Sequence, residues 1–148
     1  MTDQDSRQVP ISEAMRLALD HHQSGRLPEA EAIYRAVLEA EPEHAGATYN
    51  LALIALQGGR PQEALPALEA ALEREPDNVA HWLNCAAALA GGGQPLVARQ
   101  LLLQARERGL GGKPLADTLA QVQRMIDAPR PTVIDTMIDV GADQPPDK

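Results

Sequence analysis

The sequence predicts an all-α fold of stacked helix pairs, and three observations predict it. Several residue types recur at one period: Gly25, Gly59 and Gly93 are 34 apart, as are Ala30, Ala64 and Ala98, while Leu38 pairs with Leu72 and Pro42 with Pro76. Within a period, apolar residues fall at three- and four-residue intervals, as in Ala64, Leu65, Leu68, Ala71 and Leu72, which marks one face of a helix. Finally, 44% of the 148 residues are apolar, yet the chain has one Trp, two Tyr and no Phe. A core of Ala and Leu favours helix and disfavours a β-sandwich or barrel.

The period divides the chain into units 11–44, 45–78 and 79–112, each reading helix, glycine turn, helix. The polar segment 1–10 before them is expected to be flexible. In the first unit Ser12 is a candidate N-cap, and Ala14 stands where the third unit has Trp82. In the second, Tyr49, Leu51, Ala52 and Ala55 share a face before Gly58-Gly59 stops the helix, since glycine enters the left-handed region cheaply. Pro61 opens the next helix, where a missing N–H costs nothing, and Pro28 and Pro95 do the same in the other units. Pro66 removes the hydrogen bond to Gln62 and predicts a bend or a loosened first turn. Pro76 ends that helix, and Asn78 caps the one beginning at Val79.

The third unit departs from the others, with Arg106 in place of Leu38 and Leu72 and Gly109-Leu110 in place of Glu-Pro. Leu115, Leu119, Val122 and Ile126 then make an apolar stripe over 114–126, read as a capping helix that completes the array. Residues 127–148 are rich in Pro and Asp and read as a flexible acidic tail. Its Val133, Ile134, Met137 and Ile138 are spaced as one helical face: a segment docking on a partner or on the protein's own groove, or an incidental apolar run.

A 34-residue helix–turn–helix period resembles the tetratricopeptide repeat. Trp82-Leu83-Asn84-Cys85-Ala86 and Tyr49-Asn50-Leu51-Ala52 resemble its first-helix motif. Gly25, Ala30, Tyr34 and Pro42, then Gly59, Ala64, Leu68, Ala71 and Pro76, then Gly93, Ala98, Leu102 and Ala105, match the rest. The resemblance covers residues 11 to about 110. It implies a solenoid of three helix pairs plus a cap. Ala52, Ala64, Ala71, Ala86, Ala98 and Ala105 would then lie where helix backbones meet.

Composition narrows the function. Thirteen Lys and Arg against 21 Asp and Glu give a net charge of −8. With only two Lys and scattered Arg, the chain lacks the cationic cluster that phosphate neutralisation requires, so nucleic acid and anionic membrane surfaces are disfavoured as partners. No apolar run approaches the roughly 18 residues of a membrane span, and the N-terminus has no apolar core of a secretory signal. A cytoplasmic, bacterial protein is expected, the Arg-over-Lys bias fitting a GC-rich genome.

No catalytic set emerges, and an enzyme is not expected. His21 and His22 are adjacent and diverge by about 100° on a helix, so they cannot share a metal; His44 and His81 lie near unit boundaries and read as surface or packing residues. Cys85 stands at a core position of the repeat and reads as an inert thiol. Gly91-Gly92-Gly93 lacks the Lys-Ser/Thr of a phosphate loop. Glu29, Glu31, Glu39, Glu41 and Glu43 read as solvated charges. No cofactor or metal is expected.

The family register implies that the first helix of each pair lines a concave groove. Its candidate binding residues are Met15, Arg16 and Leu19 from the first unit, Tyr49, Asn50, Leu53 and Gln57 from the second, and Leu83 and Asn84 from the third. Ser12, His22, Ala80, Ala87 and Gly91 fall on the same face. Asn50 and Asn84 resemble the start of the asparagine ladder in the tetratricopeptide superhelix of O-GlcNAc transferase, which Arg16 breaks. The carboxylate clamp of chaperone-cofactor repeats is matched at Asn50 alone, with Met15, Leu19, Ala80 and Asn84 at the other positions. The expected function is a non-enzymatic module holding a peptide segment or partner protein in that groove, with self-association open. Two alternatives stand beside it. One is a chaperone of translocator proteins, resembling the class II chaperones of type III secretion; the other is an accessory or regulatory module of a transferase or hydroxylase.

Overall fold

The computed structural model describes residues 9–128. The tail segment with Val133, Ile134, Met137 and Ile138 lies outside the described residues, as does most of the segment 1–10. Among the described residues seven helices follow one another: α1 Ile11–Gln23, α2 Leu27–Ala40, α3 Ala45–Gln57, α4 Pro61–Arg74, α5 Val79–Gly91, α6 Pro95–Glu107 and α7 Lys113–Asp127. There is no strand among the described residues. Each helix packs on the next, and α7 also touches α5.

The turn inside each pair has one construction. Gly25, Gly59 and Gly93 sit at φ 82°, 79° and 89°, and the residues around them close the helix end. After α3, Gly59 N–H donates to Leu56 O (3.2 Å) and Arg60 N–H to Ala55 O (2.8 Å), the crossed pair that caps orphan carbonyls. The same pattern closes α1 through Gly25 and Arg26, and α5 through Gly93 and Gln94. It also closes α6, where Gly109 N–H donates to Arg106 O and Leu110 N–H to Ala105 O. That explains why this unit dispenses with Glu-Pro: a glycine ends the helix that proline ends elsewhere.

Helix starts agree with the sequence in part. Asn78 Oδ1 accepts from Ala80 N–H at 3.0 Å and caps α5. Ser12 is not a cap: α1 begins at Ile11 behind Pro10, whose ring has no hydrogen-bond acceptor to offer. The first helix of the second unit is capped by His44, whose Nδ1 accepts from Ala47 N–H at 3.0 Å. Helix α4 runs unbroken through Pro66, whose ring stays on the exposed face.

The core is a line of small clusters rather than one centre. Ala30, Ala64 and Ala98 are each 0% exposed, and so are Tyr34, Leu68 and Leu102 four residues later. Cys85 is buried, and desolvation, with Glu69 adding to it, pushes its thiol up to about 12. Burial also raises the pKa of Tyr34, and burial chiefly that of Tyr49.

Two outcomes follow. Ala64→Trp should overpack the α3–α4 contact and destabilise the fold by about 1–3 kcal/mol or more; a denaturant midpoint equal to wild type would refute the packing described. Cys85 should resist a thiol reagent at neutral pH until the chain is unfolded. Its native thiol stays protonated where the unfolded one ionises, so its contribution to stability is intact below about pH 9 and is lost as pH climbs toward 12. Cys85→Ala should flatten that alkaline decline, leaving the part due to tyrosine.

Candidate functional site

The first helices α1, α3 and α5 stand side by side and are tied by side chains. Asn84 Nδ2 on α5 donates to Tyr49 Oη on α3 at 2.7 Å. Gln57 Oε1 on α3 accepts from His22 Nε2 on α1 at 3.1 Å. Both bonds span 35 residues, one more than the repeat. The rings add to these ties. His81 on α5 meets Tyr49 on α3 edge to face with centroids 5.0 Å apart, while His22 meets Tyr34 on α2 within the first pair at 6.2 Å.

The candidate residues take different parts. Leu19 is 42% exposed with its apolar surface uncovered. Met15 packs into the first cluster, Leu53 into the middle one and Leu83 against the last, each with part of its surface open. Arg16 is exposed and held along its own helix, 3.3 Å from Asp20 and 3.8 Å from Glu13. Asn50 is half-buried and makes no side-chain hydrogen bond among the described residues. Of the whole set, a direct polar contact joins Tyr49 and Asn84; Gln57 reaches His22, and the others stand apart along the face.

Several residues play roles the sequence did not disclose. His81 is 6% exposed, with Nε2 donating to Glu75 Oε1 at 2.8 Å beneath the Tyr49 ring. The expectation for Glu31 is corrected. Its side chain is 26% exposed rather than solvated, paired with Arg35 and 4.0 Å from Arg60. Tyr49 is also not the counterpart of Trp82. The residue 34 before Trp82 is Thr48, and Trp82 lies in the last cluster with its indole N–H donating to Pro76 O at 2.7 Å. No helix among the described residues is long and apolar enough to cross a membrane.

Comparison with known proteins agrees with this architecture. One tetratricopeptide repeat model matches residues 15–67 and a second matches 55–122. No curated protein matches the chain by sequence. Among solved structures, MamA AMB-1 is similar with a TM-score of 0.67 at 17% identity, covering 79% of this chain and 69% of that one. The P58(IPK) TPR domain gives 0.66 at 22% identity over 78% of this chain, which spans 33% of it. The Sgt2 TPR domain from Aspergillus fumigatus gives 0.65 at 18% identity, covering 93% of this chain and 87% of that domain. With the glycine-closed turns, the buried alanines at 34-residue spacing and these matches together, the chain belongs to the tetratricopeptide repeat family.

Proposed function

We propose that the chain is a non-catalytic interaction module that holds a segment of a partner protein along the face formed by α1, α3 and α5. The tetratricopeptide fold supports a protein–protein interaction role in general. The observation that carries the choice of face is its chemistry. The face carries the exposed apolar side chain of Leu19 and the half-open Tyr49, Leu53 and Leu83, together with the unbonded amide of Asn50. The one charge among the candidates, Arg16, is matched by Glu13 and Asp20. Apolar anchors suit alternate side chains of a bound segment, and an amide pairs with its backbone through both a donor and an acceptor.

The two asparagines divide the work. Asn84 spends a donor on Tyr49 and sets the spacing of α3 and α5. Asn50 is left to meet the ligand. Replacing Asn84 would therefore disturb the face itself, and Asn50 is the better probe of recognition.

Affinity capture from the native host, with proteins identified by mass spectrometry, tests the reading. A partner bound by wild type, lost with Leu19→Glu/Asn50→Ala and kept by Glu107→Ala at the exposed end of α6 is the expected result. A partner kept by the Leu19/Asn50 variant would move recognition off this face. The tie between first helices has its own test. A double-mutant cycle of Tyr49→Phe and Asn84→Ala should show a coupling of about 1 kcal/mol in unfolding free energy. Strict additivity would mean that the bond contributes nothing to the alignment of α3 and α5.

A further inference from the structure

On the side of α3 opposite Tyr49, Asn50 and Leu53, helices α2, α3 and α4 leave an open slot of about 230 Å³. Thr48, Leu51 and Ala55 form its floor, and Leu38 and Ala67 its walls. The next unit shows what occupies such a space. Thirty-four residues on, Glu31, Thr48, Ala55 and Ala67 become Leu65, Trp82, Leu89 and Leu101. Those four pack in one cluster, with Trp82 7% and Leu89 8% exposed. The earlier slot thus lacks the large side chains that its own sequel supplies, and it is open where the later one is full.

The rim narrows the missing group further. Glu31 is held between Arg35 and Arg60, and Arg60 Nη1 also lies 3.0 Å from Glu63 Oε1. Guanidinium groups fixed in this way are attracted to the face of an aromatic ring. The carboxylates beside them accept a hydrogen bond from a ring N–H. An indole satisfies all three demands: an apolar body for the floor, a π face for the arginines and one N–H donor for a carboxylate. One unit later, Trp82 lays such an indole on an apolar cluster, with its N–H donating to the backbone carbonyl of Pro76.

We propose that this slot is a docking site for a tryptophan side chain carried by a partner protein, a second recognition point separate from the α1–α3–α5 face. The guanidinium groups and carboxylate acceptors at the rim complement the π face and N–H of tryptophan, which an aliphatic side chain lacks, and the matched arginines and glutamates make binding of a free anion unfavourable.

The test uses the full-length chain, labelled with nitrogen-15 and titrated with N-acetyl-L-tryptophanamide. The expected result is saturable amide shifts at Thr48, Ala55 and Ala67, with affinity roughly tenfold above that for N-acetyl-L-alaninamide. Thr48→Trp/Ala55→Leu, which gives the slot the residues of the next unit, should raise Tm and abolish the shifts. Should that variant fail to fold, Ala67→Leu fills the slot from its wall and should weaken the probe by a similar factor. No saturable shift, shifts centred on Tyr49 and Asn50, or shifts unchanged in a folded filled variant would overturn the proposal. Displacement of Val133 and Ile134 signals by the probe would make the chain's own tail the occupant, and a probe-induced fall in sedimentation coefficient would make it a second copy; either would overturn it too.

Discussion

The rest of the structure depends on how closely two helices can approach at an alanine. Ala30, Ala64 and Ala98 each face the first helix of their own pair with no exposed surface. With only a methyl group at the crossing, dispersion contacts between the backbones and the flanking Tyr34, Leu68 and Leu102 come into range. Each pair therefore needs no large central residue. A chain without phenylalanine can still pack, because closeness replaces bulk.

Stacking then turns pairs into an array. The clusters share Leu65, Leu72 and Leu101 across unit boundaries, so no unit owns its core. Neighbour-to-neighbour contact of this kind makes stability a sum of local terms. It also fixes the recognition face. The first helices present a row of side chains because the second helices hold them apart at one spacing, and Tyr49–Asn84 and His22–Gln57 set the lateral register.

Much of this was legible in the residues. Glycine and alanine announce themselves at 34-residue intervals because backbone conformation and close packing tolerate few substitutes there. Asn78 was readable as a cap because its side chain acts on a backbone N–H two residues away. Other features depend on distant partners and leave no local trace. His44 caps a helix with an imidazole, a residue type with weak cap preference. Asn84 looks like a free amide until Tyr49, 35 residues away, claims its donor. Glu31 looks solvated until Arg60 from the turn before α4 arrives beside it. The slot at Thr48 is a matter of volume, and volume shows only when one unit is laid over the next.

The position of the single indole has a consequence for anyone watching this molecule come apart. Trp82 lies among α4, α5 and α6 residues and against the last helix, far from α1. In a chain held together by nearest neighbours, the end helices fray before the middle opens. Trp82 emission, excited beyond the tyrosine absorption band, therefore reports the third unit and is silent about the first. Peeling of α1 and α2 would lower helical circular dichroism while the emission maximum stayed fixed. Two melting curves that disagree would then mark sequential loss of units, the behaviour expected of an array whose optical label sits near one end.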